Sequence, residues 1–495
     1  MKSINLIDTK ALEDVELGYA TSAFKHKFGD NQIQIGALMI LFVSICPLLF
    51  LTINEGLIST LFIFILVTTL GLWLCWKVSS NLSDRKLKIL GLFWLLKIGI
   101  TLFLLYFGWI PQLDPSSDSW GYDPQRFYVD SMSLVENNWQ PLSALNYQGI
   151  VYFYGVFFYL FGQNPVLPAL INAFITLLGS LFLIKTAYSF VLVRTNKDWL
   201  IAGILLIPEI LWYDVMTSRE NLMAVLIIFV VFSVARFFHT SKNLSFIKAS
   251  LIAIFSLVLI LAIRTSIVIP VVISIFCMSF YFPTKNKSTS LIKLMLFAFI
   301  GLCIAIGPLI QSFAGGANLD YIAMLESLIS FENNVASTFS WSDNSIGLLL
   351  KPNSLLEAVL FLPPRMILYI IAPMPDVAIS IPELINGSWY FWQKLMIVPT
   401  SICMVIGFPF VLAGTAKAWT ERSNLPKPLV FYISFWIIFM AVAGGNIIIH
   451  ERYRVMFTMI MFLCIWWGYT RCQYSSIRFW GVLWFSFLTF FAVFY

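Results

Sequence analysis

The stretch LFIFILVTTLGLWL, Leu61–Leu74, carries no charged residue and consists largely of Leu, Ile, Phe and Val. Apolar runs of roughly 17–25 residues recur along the chain, which is the length that crosses the hydrocarbon core of a bilayer as an α-helix. The strands of a membrane barrel would instead alternate in polarity over about 10 residues. The sequence therefore predicts an all-α, polytopic transmembrane helical bundle.

The composition excludes a soluble globular domain. Of the 495 residues, 59% are hydrophobic and only 11% are charged, and the mean hydropathy is +0.86. The formal net charge of +6 is spread over short loops, so nucleic acid is not an expected partner, whereas a lipid bilayer is. The seven cysteines lie within or at the ends of apolar runs without metal-ligand spacing, and we expect them to be small buried hydrophobes.

The positions of Lys and Arg predict the topology, because cytoplasmic loops are enriched in these residues. The cationic loops that fix the count are Lys77–Lys88, Val193–Asp198, Lys417–Lys427 and Thr470–Arg478. They predict about 13 spans in a single transmembrane domain over residues 35–495, preceded by a cytoplasmic tail over residues 1–34. Two outer loops, residues 111–164 and 314–393, are expected to carry short interfacial helices, one of them in the 14-residue apolar run Gly149–Gly162.

The first outer loop contains a polar island, PQLDPSSDSWGYDPQRFYVDSMSLVENNWQ, at Pro111–Gln140. Its carboxylates surround Arg126, and a gathering of carboxylates beside a membrane suits general acid/base catalysis or cation binding. Asp123 begins a predicted helix, so it is either a helix cap or a base that takes a proton from an acceptor hydroxyl. Asp114, Asp118 and Asp123 would hold a divalent cation, which the loop permits without requiring.

Further ionisable residues are predicted on the same outer side. Asp214 and Glu220 are candidate second acids, because ionisable groups in or near a membrane are costly and often functional. The alternative for the Ser218–Asn221 segment is helix capping with a surface Arg–Glu pair. The candidate phosphate-binding cations, whose alternative role is to snorkel at the interface, are Arg219, Arg264, Arg365, His450, Arg452 and Arg454.

The order of elements in this region resembles the first outer loop of the GT-C membrane glycosyltransferases, in particular the group of protein O-mannosyltransferases and the lipid A aminoarabinose transferase. Asp123-Pro-Gln-Arg126-Phe-Tyr128 is similar to the motif in which the family's catalytic aspartate precedes an Arg-Tyr pair. The runs Gly149–Gly162 and Pro165–Phe190 resemble the family's juxtamembrane helix and second core span. Two extra spans before the loop depart from the family pattern.

The resemblance implies a glycosyltransferase that moves a sugar from a polyprenyl-phosphate donor to a glycan, lipid or protein acceptor. Asp123 would be the base, with Asp118 or Asp114 as the family's second acid because Pro124 follows Asp123. Arg126 and Tyr128 would lie by the substrate, and Arg452 and Arg454 by the lipid phosphate. A bacterial inner membrane is the implied location, with the active site on the periplasmic face.

Two other functions stay open. A polymerase or ligase of lipid-linked surface polysaccharide would also have about a dozen spans and scattered outer arginines. A transporter or flippase would place charged residues deep inside several spans and would carry broken helices in two repeated halves. Lys97, Lys185 and Glu209 do fall inside apolar runs, but most charges lie at span ends and no repeat is visible.

Overall fold

The computed structural model describes residues 57–82, 85–114, 123–140, 148–189, 195–239, 243–264, 389–420 and 451–494, with a few single positions between 267 and 367. Within this part of the chain all regular structure is helical, as the sequence predicts. The tail over residues 1–34, most of the second outer loop and several predicted spans lie outside the described residues.

The helices follow the apolar runs, because a backbone in lipid must satisfy its hydrogen bonds within its own segment. The described α-helices are α1 (Leu57–Asn81), α2 (Ile89–Leu104), α3 (Asp123–Glu136), α4 (Gln148–Phe161), α5 (Val166–Ser189), α6 (Pro208–Val215), α7 (Glu220–His239), α8 (Asn243–Ile263), α9 (Trp389–Thr420), α10 (Glu451–Arg471) and α11 (Tyr474–Phe494). Short 3-10 helices precede α2 at Arg85–Lys88 and α6 at Asp198–Leu206.

Four of the described helical stretches are long and apolar enough to cross a membrane. They are Ser59–Asn81, Lys86–Leu113, Val166–Tyr188 and Phe391–Lys417. Each coincides with a span that the sequence predicts, near Leu57–Trp76, Ile89–Ile110, Pro165–Phe190 and Leu395–Ala416 respectively. Helix α4 has 14 residues and belongs to the shorter apolar helices, in agreement with the expectation that this run does not cross as a standard span.

The segment Trp199–Val215, which the sequence predicts as a span, is divided into two short helices. The 3-10 helix Asp198–Leu206 ends at Ile207, whose backbone is extended, and α6 begins at Pro208. Proline has no N–H to continue the hydrogen-bond ladder and suits the first position of a new helix. The break places three carboxylates, Asp198, Glu209 and Asp214, in the interior, each at most 1% exposed.

The helices pack into a bundle in which small residues permit close approach. Gly468 of α10 lies against the backbone of Phe410 in α9, so closely that a β-carbon would overlap its carbonyl oxygen. Helix α2 continues through a π-helical turn, Leu105–Trp109, where Gly108 packs against Trp212 and Trp392. These contacts join α2, α6, α9 and α10 into one core.

The loops expected on one side of the membrane meet at the same end of the bundle. At one end, which we call the Arg471 end, Lys86 Nζ donates to the Asn196 carbonyl oxygen at 3.0 Å. Arg471 donates to Asp198, and Lys417 donates to the Arg471 carbonyl. These contacts unite the four cationic loops from which the topology was predicted. The other end, the Asp123 end, is separated from it by α5, whose 24 residues span about 36 Å.

Candidate functional site

The Asp123 end contains an ion pair between the start of α3 and the start of α7. Asp123 is the first residue of α3, and its carboxylate lies 3.7 Å from an Nη of Arg219. The same guanidinium lies 3.9 Å from a carboxylate oxygen of Glu220 and over the ring of Phe127, 5.4 Å from its centroid. The structure thus brings together three predicted site residues and places one cation between two acids.

Exposure distinguishes these groups. The Asp123 side chain is 35% exposed, whereas those of Arg219 and Glu220 are 11% and 6% exposed. Arg219 and Glu220 are thus mostly buried, whereas the Asp123 carboxylate is accessible to water beside a buried cation. An accessible carboxylate of this kind can accept a proton from a bound hydroxyl.

The predicted partners on α3 face different environments. Arg126, one turn after Asp123, is exposed. Tyr128 is buried, with its ring edge-on to Phe158 at 5.5 Å, and burial raises the pKa of Tyr128 to about 12. Arg126 is thus available to a substrate at the surface, whereas Tyr128 packs α3 onto α4 as a neutral phenol.

The segment that carries Arg219 is held by side chains from α4 and α5. The Tyr154 hydroxyl lies 2.7 Å from the Ser218 carbonyl oxygen and 2.9 Å from Asn172 Oδ1. The Asn172 side-chain amide donates to the Met216 carbonyl at 2.7 Å. All residues from 216 to 221 are buried, so the turn expected at the surface is an interior connection between α6 and α7.

Asp214, a predicted second acid, lies deeper and is fully buried. Its carboxylate accepts a hydrogen bond from Lys97 Nζ, with which it forms an ion pair, and one from Thr176 Oγ1 at 2.9 Å. The Asn221 side-chain amide donates a third at 2.7 Å. These donors come from α2, α5 and α7, so the contacts of Asp214 favour a structural role that fastens α6 to its neighbours.

Arg454, a predicted phosphate-binding residue, is 1% exposed and pairs with Glu209. Its Nε and one Nη lie 3.0–3.3 Å from the Glu209 carboxylate, and the other Nη donates to Ser401 Oγ at 2.9 Å. Thr458 donates to the second oxygen of Glu209 at 2.9 Å. A lipid phosphate would have to compete with Glu209 for this guanidinium.

The remaining predicted site residues are only partly described. Arg264 is half-buried just after α8, close to the start of α4, and Asp114 is exposed after the turn that ends α2. The side chains of Asp118, Arg365, His450 and Arg452 lie outside the described residues. Within the described part of the chain no three His, Cys, Asp or Glu side chains come together as metal ligands.

Several contributors were not among the predicted site residues. Tyr154, Asn172 and Thr176 are polar side chains within apolar runs, and Lys97 and Glu209 were noted only as charges that a transporter would use. A lone polar residue in an apolar helix signals an interior partner, but it does not identify that partner.

Comparison of the chain with known protein families, curated proteins and solved structures finds no match. The site is therefore interpreted from its own geometry and chemistry.

Proposed function

We propose that the protein is a membrane glycosyltransferase, which moves a sugar from a polyprenyl-phosphate donor to an acceptor hydroxyl at the Asp123 end of the bundle. The observation that carries the proposal is the partly exposed Asp123 carboxylate beside the buried Arg219. A base of this kind beside apolar helices suits a reaction in which the donor is held in lipid and the acceptor approaches from water.

The proposed reaction is a single displacement. Asp123 takes the proton from the acceptor hydroxyl, whose oxygen attacks the anomeric carbon of the donor. The bond between that carbon and the phosphate oxygen breaks, and the phosphate leaves on the lipid with the electron pair. Arg219 orients Asp123, while Arg126, which is exposed, and Arg452 stabilise the departing phosphate. Inversion at the anomeric carbon follows from one displacement.

We also propose for the protein the membrane topology that the sequence predicts. About 13 spans would place the Asp123 end on the periplasmic side of a bacterial inner membrane, with the Arg471 end in the cytoplasm. Support comes from the meeting of all four cationic loops at the Arg471 end. A lipid-linked donor fits such a site, since soluble nucleotide sugars are not expected outside the cell.

The test compares wild type, Asp123→Asn and Asp130→Asn in membranes supplied with radiolabelled polyprenyl-phosphate sugars. Asp130 lies on the same helix and serves as the matched control. We expect Asp123→Asn to fold and to transfer label about 10²–10⁴-fold more slowly, with Asp130→Asn near wild type. Full activity of Asp123→Asn would show that Asp123 is not the base and acts only as a helix cap. A product that lengthens by whole repeat units would favour the polymerase or ligase instead.

A transporter or flippase of lipid-linked glycans is the second candidate. It is favoured by the broken segment between Asp198 and Val215, whose buried carboxylates pair with Lys97 and Arg454 inside the bundle. Transporters often place their sites at such interruptions. In proteoliposomes, a transporter would move a labelled lipid-linked glycan between leaflets without breaking the sugar–phosphate bond, and Glu209→Gln would slow it more than Asp123→Asn.

A further inference from the structure

The chain leaves α3 through a turn that holds a tryptophan in a strained backbone conformation. The N–H of Asn138 donates to the Val135 carbonyl oxygen at 3.3 Å. The N–H of Trp139 donates to the Leu134 carbonyl oxygen at 2.9 Å, which completes the hydrogen-bond pattern of a Schellman motif. Both Asn138 and Trp139 have positive φ, at 52° and 64°. Asparagine tolerates this left-handed backbone, whereas a bulky side chain rarely adopts it.

The strained backbone places the Trp139 indole against α4. A β-carbon at Gly155 would lie 3.6 Å from the indole ring, so the ring rests on the helix where α4 has no side chain. The ring of Tyr152 lies nearly parallel to the indole, with 17° between the planes and 6.3 Å between the centroids. After α4 the chain instead uses Gly162 at a positive φ of 91°. Strain retained at a residue with a large side chain is typical of functional positions.

Trp139 and Tyr152, which we call the aromatic pair, are both half-buried. The exposed residues beside Trp139 carry amides, and they are Asn137, Asn138 and Gln140. An amide both donates and accepts hydrogen bonds, as the hydroxyl groups of a sugar do. The sequence from residue 127 to residue 184 contains no Lys or Arg. This part of α3 and the whole of α4 therefore offer a ligand rings and amides, and not the cations that bind a phosphate headgroup.

We propose that the aromatic pair binds a sugar unit of a neutral glycan chain. The C–H groups on the face of a sugar ring are weakly positive and pack against the negative face of an aromatic ring. Helix α3 separates Asp123 from the pair by 14 residues, which is about 21 Å. A glycan whose end reaches Asp123 would thus contact the pair several units away. The inference rests on the proposed function, because it makes an extended glycan the acceptor of the transferase.

The test measures the equilibrium binding of soluble, fluorescently labelled glycans to the full chain in nanodiscs. The probes are chitohexaose, maltohexaose and mannohexaose, each with its monosaccharide. We expect wild type to bind at least one hexasaccharide about tenfold more tightly than the monosaccharide, because only the longer chain reaches several contacts. Trp139→Ala should bind it about three- to tenfold more weakly, which is the value of one aromatic contact. Trp139→Tyr keeps a ring and should restore most of the binding.

Two further variants separate binding from packing. Tyr474→Ala removes an exposed ring at the start of α11, at the other end of the bundle, and should bind as wild type does. Trp139→Gly should melt at or above the temperature of Trp139→Ala, because glycine adopts positive φ without cost, and it should bind equally weakly.

Three results would overturn the proposal. They are no hexasaccharide binding by wild type, wild-type binding by both Trp139→Ala and Trp139→Gly, and equal loss of binding in Tyr474→Ala. Binding that depends on Trp139 in a protein that transfers no label would support the glycan site and count against the transferase alone. Transfer of label by a protein whose glycan binding ignores Trp139 would count against the site alone.

Discussion

The hydroxyl of Tyr154, on the short helix α4, lies 2.7 Å from the carbonyl oxygen of Ser218. Both groups are buried, and Ser218 immediately precedes Arg219, the partner of Asp123. A buried carbonyl without a donor is costly, so this contact holds the backbone directly before Arg219. The position of the candidate base thus depends on a tyrosine that is remote from it in the chain.

We expect Tyr154→Phe to destabilise the fold by about 1–3 kcal/mol, because it removes the hydroxyl that donates to the buried Ser218 carbonyl. Transfer should fall as well, since Arg219 loses its support. Thermal unfolding in detergent and the radiolabel assay measure the two effects. Tyr159→Phe, at an exposed position of the same helix, is the control and should match wild type in both. Wild-type stability of Tyr154→Phe would contradict the role given to this hydroxyl.

The pair Lys97–Asp214 predicts a coupled response to substitution. Lys97→Met leaves a buried carboxylate and Asp214→Asn leaves a buried ammonium, and each should cost about 3–5 kcal/mol. The double variant removes both charges and should be less destabilised than the sum of the single variants. A double-mutant cycle on the free energy of unfolding measures this coupling. Additive effects would show that the two groups do not act as a pair.

Arg454 and Arg126 should behave differently, although both were predicted to bind substrate. Arg454→Gln leaves the Glu209 carboxylate buried without its guanidinium partner, so we expect a loss of about 3–5 kcal/mol in stability and little folded protein. Arg126→Gln changes an exposed side chain and should stay within about 0.5 kcal/mol of wild type while slowing transfer. Fluorescence-detected size exclusion, followed by the radiolabel assay on the folded fraction, separates these outcomes. If Arg454→Gln is well folded but inactive, the result would instead support phosphate binding by Arg454.

The contact of α9 with α10 predicts a strong effect from one added methyl group. In Gly468→Ala the new β-carbon would overlap the Phe410 backbone, so the helices must separate and lose packing, at a cost of about 1–3 kcal/mol. Gly99→Ala is the control, because its β-carbon would meet nothing within 4 Å and alanine favours the helix. Melting temperatures of the two variants should move in opposite directions.

Helix positions and the grouping of loops at the two ends could be predicted from the sequence, because apolar run length and cation placement are local signals. The four candidate spans and the short helix α4 follow from them. The break at Ile207 and Pro208 was missed, since the flanking residues are as apolar as those of an unbroken span. What marks the break in the sequence is Pro208, with the charged Glu209 directly after it.

The candidate site was predictable in part. Asp123, Arg219 and Glu220 were selected as polar residues on one side of the membrane, and the fold brings them together. The interior partners of Arg454 and Asp214 could not be predicted, because pairing across helices depends on rotation about the helix axes and a single sequence does not encode it locally. The resemblance in motif order predicted functional roles for these residues, but it did not predict which side chains they contact.

The buried carboxylates of the segment between Asp198 and Val215 also have a consequence for the synthesis of the protein. Asp198 and Glu209 are paired with Arg471 and Arg454, which belong to the penultimate helix described. A nascent chain that has inserted residues 198–220 therefore holds two acids whose counter-charges have not yet been synthesised. Until α10 arrives, Glu209, which lies inside the bundle, must stay hydrated or shielded by another protein, because an unpaired charge is costly in hydrocarbon. Chains that terminate before residue 451 should consequently be substrates for membrane quality control, even with most of their spans in place.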